Sequence, residues 1–593
     1  MLTLKRIFLY GLASLGGITF VAIIFVSGLA LKFSNDIRPL PPLILLEADL
    51  SAGVAEFRKD GLISVFDTGP LLMRGFVDAL EAASKDDRVQ GLVVRFGSGG
   101  ITVAQAQELR DAVVRFNSSG KFTLAFSESF GGIGSGTVAY YLASAFDSIW
   151  IQPSGAVGLT GIALEAPFIK GTLDKLGVKV KVEQRQEYKA AVEMFTREHF
   201  SVPARASLQQ LVDSWFAQIV GGIATARGFE PVAVRKLIDD GPYLAREALT
   251  INLVDGLGYW IDVLDSARAS ASVDTVIADR MRIDRYLASV ERPNSNGPKV
   301  AMIYGVGTVL PGVDDDPISG GANFAADSVA KAIATATKNN DIRAILFRID
   351  SPGGSYTAAD TVWREVDRAS RAGKPVVVSM AGEAASGGYF VAMAADRIVA
   401  QPGTVTGSIG VFAGKAVTEA LWHKLGITWD EIHAGGRATM WSQIRNFPPG
   451  AEDKFSRILD AIYEDFTAKL SRGRSLSKEQ VDAVARGRVW SGTDALANGL
   501  IDVIGGYSTA VAEVKRALNL SPEDSINLID FPKPRSRLER VVSLLTDRTE
   551  FSLGQTRAFM QAFGFRVSFS ADDFAVFAPS VGVLQLPPFR LMR

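Results

Sequence analysis

The sequence predicts an α/β protein made of two copies of one unit, set behind an N-terminal apolar span. Three observations carry that expectation. Blocks of sequence recur at offsets of 253 and then 249 residues. Apolar runs of strand length alternate with helical patterns. Near the start, 25 consecutive residues carry no charge.

The span comes first in the chain. It runs from Ile7 to Leu31, flanked by Lys5, Arg6 and Lys32. About 20 apolar residues cross the hydrocarbon core of a bilayer as a helix, and this run is longer than the core of a cleavable signal peptide. Residues 1–36 are therefore expected to be an uncleaved transmembrane anchor, with residues 7–31 in the lipid bilayer. Basic residues ahead of the span favour a cytoplasmic N-terminus and an external body.

The repeat comes next. Val89–Phe96 (VQGLVVRF) matches Ile342–Ile349 (IRAILFRI), and Gly120-Lys121 matches Gly373-Lys374 at the same offset. Further on, Ser148–Pro153 matches Arg397–Pro402, and Gly158–Gly161 (GLTG) matches Gly407–Gly410 (GSIG), with four extra residues in the first copy around Gly131–Gly136. Strands alternating with helices predict crossover connections and a largely parallel sheet in each copy. Pro293–Pro298 is a run of breakers. The expected organisation is residues 1–36 anchor, 37–293 first repeat, 294–520 second repeat and 521–593 a tail of no assigned role.

Composition narrows the chemistry. With 63 basic and 64 acidic residues there is no bias toward nucleic acid. The absence of cysteine excludes disulfides, thiolate catalysis and Cys-ligated zinc. The only histidines, His199, His423 and His433, show no metal-ligand spacing, so no metal is expected, and no organic cofactor.

The second copy carries Asp350-Ser-Pro-Gly-Gly354 after one strand and Ala385-Ser-Gly-Gly-Tyr389 after the next. A strand that turns sharply through glycine into a helix can expose a serine, here Ser386, with backbone N–H groups converging near it. Gly387 would supply one N–H to an oxyanion and Gly354 a second. Taken singly, each motif is more often an ordinary tight turn; two of them at neighbouring strand ends, with a serine, shift the balance. The first copy has Thr137 where Ser386 stands and Ile101 where Gly354 stands, so its glycine turn is altered. A serine nucleophile needs a base. The second copy has no lysine between Lys424 and Lys454, and its arginines do not deprotonate. A lysine base would have to come from the first copy, where Lys189 lies in Gln186–Phe195 (QEYKAAVEMF). The competing reading is a surface lysine paired with Glu193 at i+4.

These motifs resemble signal peptide peptidase A (protease IV) in its long, duplicated bacterial form. The residues that carry the resemblance are Asp350–Gly354, Ala385–Tyr389, Thr406–Gly410 and Tyr188–Glu193, and it extends over the anchor, both repeats and the linker. It implies two tandem Clp-protease/crotonase-like ββα domains. It implies a Ser/Lys dyad of Ser386 and Lys189, with Ser408 orienting the lysine and Gly387 and Gly354 as oxyanion donors. It further implies a homotetramer on the periplasmic side of the bacterial inner membrane that degrades cleaved signal peptides. Two alternatives stand beside it: an acyl-CoA enzyme of the crotonase type, and a non-catalytic membrane scaffold.

Overall fold

The computed structural model describes residues 40–57, 69–132, 134–313 and 324–532, together with the backbone of 583–585 and 590–591. The expected anchor, residues 7–31, lies outside the described residues. Among the described residues no helix is long and apolar enough to cross a membrane.

Each repeat forms a parallel six-strand arrangement with the same strand order. In the first repeat the order is Gly256–Leu257, Ser148–Ile151, Phe122–Ser127, Val89–Phe96, Ile44–Asp49 and Asp279–Arg282. In the second it is Val503–Ile504, Arg397–Ala400, Val376–Ala385, Ile342–Ser351, Lys299–Val306 and Asn527–Asp530. The last of these strands falls inside the segment that the sequence sets apart as a tail, so the second sheet reaches beyond residue 520.

Central strands such as Val89–Phe96 and Ile342–Ser351 are almost continuously buried. That is why they read as apolar runs and not as alternating ones. Helices cover them. Val103–Asn117 starts at a Thr102–Gln105 capping box, which satisfies two N–H groups that would otherwise lack partners. The copies also share details of closure. Tyr140 Oη donates to the Leu253 carbonyl at 2.7 Å, and Tyr389 Oη to the Leu500 carbonyl at 2.9 Å. Arg227 pairs with Asp255 and Arg474 with Asp502, each at 2.8 Å.

The repeats are locked together. One apolar core runs from the first sheet into Leu346, Val377 and Tyr507 of the second repeat. Across the seam, Arg348 is 2% exposed. Its guanidinium donates to Glu56 at 2.9 Å, to Glu108 at 2.7 Å and to Ser379 Oγ at 2.7 Å. Glu56 and Glu108 belong to the first repeat, and a buried cation of this kind persists only with such partners.

A second, smaller sheet joins the repeats at one end. Its order is Phe324–Ala325, Val309–Leu310, Gly353–Ser355, Val583–Gln585, Phe412–Val417 and Lys179–Gln184. The last two pair antiparallel, from Phe412↔Gln184 to Val417↔Lys179. A first-repeat strand is thereby carried into the second repeat.

Candidate active site

Ser386 ends the Val376–Ala385 strand and caps the short helix Gly387–Ala392. Its backbone has φ +55° and ψ −112°, a conformation unfavourable for a residue with a Cβ that persists only where the surroundings enforce it. Its N–H donates to the Gly407 carbonyl at 2.8 Å. Thr137 begins its own helix, Thr137–Ala143, without a positive φ.

The two glycine turns abut. A Cβ on Gly387 would lie 3.0 Å from the Gly354 nitrogen, and one on Gly388 would lie 2.6 Å from the Ser351 carbonyl. Gly354 has φ +156° and would clash with the Val309 carbonyl at 2.1 Å if it carried a Cβ. Ser351 Oγ accepts from the Gly353 N–H at 3.2 Å, and Asp350 Oδ1 accepts from the Glu383 N–H at 3.0 Å. These bonds tie the ends of two neighbouring strands together and bring Gly354 beside Ser386. Ile101, the first-repeat counterpart, is not glycine and is half-buried.

Lys189 arrives from the first repeat. The strand Lys179–Gln184 carries the chain along Phe412–Val417. Arg185 N–H then donates to the Val411 carbonyl at 2.8 Å, and Tyr188 N–H to the Arg486 carbonyl at 3.1 Å. Lys189 is fully buried, and its Nζ lies 2.7 Å from Ser386 Oγ, 2.8 Å from the Ser408 carbonyl and 3.0 Å from Ser408 Oγ. Burial pushes its pKa well below the ordinary lysine value, because desolvation penalises the charged amine.

The alternative pairing with Glu193 does not form. That carboxylate accepts from the Ser201 N–H at 2.9 Å, and Lys189 precedes the short turn Ala190–Val192 instead of sitting within a surface helix. His199, His423 and His433 are all exposed, and none hydrogen-bonds Ser386. Ala438, the second-repeat counterpart of Lys189, is likewise exposed. Ser408 has φ +53°, and its N–H donates to the Arg488 carbonyl at 2.7 Å.

Sequence reasoning did not single out Gly487. This residue has φ +85°, and a Cβ there would meet the backbone nitrogen of Lys189 at 2.4 Å and its Cα at 2.6 Å. Its N–H donates to the Ile409 carbonyl at 2.7 Å. Gly487 therefore lets the Lys189 backbone come close enough for its side chain to reach Ser386. A signal was present: Gly241 precedes Tyr243-Leu244 in the first repeat as Gly487 precedes Val489-Trp490 in the second.

Comparison with known proteins agrees with this arrangement. Residues 129–274 and 368–521 match peptidase family S49, and residues 320–404 match the Clp protease family. The chloroplastic serine protease SPPA of Arabidopsis thaliana is 28% identical, over 82% of this chain and 71% of that one. Protease 4 of Haemophilus influenzae is 30% identical, over 78% and 74%. Protease 4 of Salmonella typhi is 31% identical, over 75% and 72%. The chain therefore belongs to peptidase family S49: it is a serine peptidase of the signal peptide peptidase A type, built on two Clp-protease-like units.

Proposed function

We propose that Ser386 and Lys189 form the nucleophile–base pair of an endopeptidase that degrades cleaved signal peptides. The observation that carries this reading is the 2.7 Å approach of a fully buried lysine amine to the serine hydroxyl, across the two repeats. A neutral amine has two N–H groups and one lone pair. Donation to the Ser408 carbonyl and to Ser408 Oγ uses both N–H groups, and the lone pair then faces the Ser386 hydroxyl. The oxygen attacks the scissile carbonyl as its proton passes to Nζ. The N–H groups of Gly387 and Gly354 hold the oxyanion. Lys189 returns the proton to the leaving amine, and the acyl-serine ester is hydrolysed by a water that the same lysine deprotonates. Ser408 fixes the lysine's orientation. No residue in this scheme needs a metal or an organic cofactor.

In the same reading, residues 7–31 anchor the chain in the bacterial inner membrane, with both repeats on the periplasmic side and four copies in the assembly. The 25 uncharged residues and their basic flank support the anchor. Membership of a peptidase family leaves the acyl-CoA and scaffold readings without support.

The test is hydrolysis of an apolar signal-sequence peptide by detergent-solubilised enzyme, comparing wild type with Ser386→Ala and Lys189→Ala, each checked for folding. Both variants should be folded and inactive. Activity retained in Lys189→Ala would move the base elsewhere. The pH profile gives a separate reading. Lys189 acts only when unprotonated, and its pKa is lowered, so activity should persist at neutral pH and be lost as pH falls through that lowered value. A rate that stays flat on acidification, with the fold intact, would rule out a lysine base.

A further inference from the structure

The small sheet contains one strand that comes from the far C-terminus and not from the body of either repeat. Val583–Gln585 runs between Gly353–Ser355 and Phe412–Val417. It pairs antiparallel with the first through Gly353↔Gln585, Gly354↔Leu584 and Ser355↔Val583. It meets the second through Val583↔Phe412. Neighbouring strands lie about 4.8 Å apart, so a segment bonded to both edges fills a slot one strand wide. That slot opens beside Ser386, because Gly354, opposite Leu584, is the residue whose nitrogen lies against Gly387.

The tail is held at a second point. Arg590–Leu591 pairs antiparallel with Leu164–Glu165 of the first repeat. Pro587-Pro588 falls between the two pairings. Proline offers no N–H to a ladder, which fits the strand's ending at Gln585.

An extended peptide that adds to a sheet does so through main-chain bonds, with little regard for sequence. A foreign peptide entering this slot would need the same edges that Val583–Gln585 occupies. We propose that Val583–Gln585 is a resident, substrate-like plug of the peptide slot, which keeps the peptidase partly closed until a peptide displaces it. The proposal rests on the reading of Ser386 as the centre of peptide cleavage. Tethering supplies the plug at an effective concentration on the order of millimolar. Three paired residues are too few to lock it permanently, so it exchanges with substrate.

Binding can be read without catalysis. In the Ser386→Ala background, a fluorescent peptide of residues 581–593 is titrated against the full chain and against a chain ending at Ser580. The shortened chain should bind the peptide roughly threefold to tenfold more tightly, in proportion to the slots it leaves open. Leu584→Pro in the full chain removes one strand N–H without shortening the protein, and should bind the peptide as the shortened chain does. With Ser386 intact, both changes should lower KM for an apolar peptide by the same factor and leave kcat unchanged.

Equal peptide binding by full and shortened Ser386→Ala chains overturns the plug. So does removal of the tail during incubation of the Ser386-intact chain but not of Ser386→Ala, which would make the tail a substrate. Peptidase activity surviving in Ser386→Ala sinks the underlying reading instead, and the binding comparison still decides the plug.

Discussion

The two repeats share strand order, the buried tyrosine that closes each short helix and the Arg–Asp pair beside it, yet they differ at every position that matters for chemistry. The second has Ser386 on a strained turn against Gly354; the first has Thr137 in an ordinary helix and Ile101. The first has Lys189 fully buried; the second has Ala438 in the open. Equivalent arginines have also diverged. Arg95 makes a half-exposed pair with Glu128, whereas Arg348 is sunk between Glu56 and Glu108. Duplication of a scaffold thus leaves each copy free to lose half of a site, provided the interface brings the remaining halves together.

The comparison can be broken most sharply at the halves themselves. Ser386→Ala and Lys189→Ala should each lower kcat by roughly 10⁴-fold or more, and the double variant by no more than the worse single one, because paired residues act as a unit. Additive losses in that cycle would mean that the two side chains work independently.

Next in size is Gly487→Ala. The added Cβ must push the Lys189 backbone away from the serine, and a displacement of that order costs about 10²-fold in rate. Activity comparable to wild type would show that the close approach does not position the base.

The arginines sharpen the contrast on stability. Arg348→Ala strands two buried carboxylates and should cost about 3–5 kcal/mol in denaturant unfolding. Arg95→Ala should cost under about 1 kcal/mol, as exposed ion pairs do. Similar losses would remove the claim that the seam is built around Arg348.

The smallest expected effect is Thr137→Ser. It restores a serine in the first repeat but neither the glycine turn nor a lysine. In a Ser386→Ala background it should recover no measurable peptide hydrolysis.

Much of this was legible in the sequence because buried parallel strands leave unbroken apolar runs, and two sets of them at a constant offset betray a repeat. Ser386 could be found because a tight strand-to-helix turn needs glycines, and those are visible. Lys189 could be reached by elimination, since no lysine lies between Lys424 and Lys454 in the second copy. What stayed hidden depends on approach in space. Gly487 is one glycine among 57, and only the passage of the Lys189 backbone explains it. Asn527–Asp530 is too short to announce a strand until its neighbour Lys299–Val306 is in place. The pairing of Val583–Gln585 rests on main-chain bonds, which no side-chain pattern encodes.

The closure of Gly487 over Lys189 also has a meaning in time. A ribosome delivers Lys189 first and Gly487 298 residues later. At about 5–20 residues per second, that is an interval of roughly 15 to 60 seconds. Through that interval the emerging chain holds a lysine with no serine to serve, then a serine without its finished enclosure. The nascent protein can pass its translocation machinery and its neighbours without being able to cut them, and on the proposed dyad it becomes a peptidase only when its second half has folded onto its first.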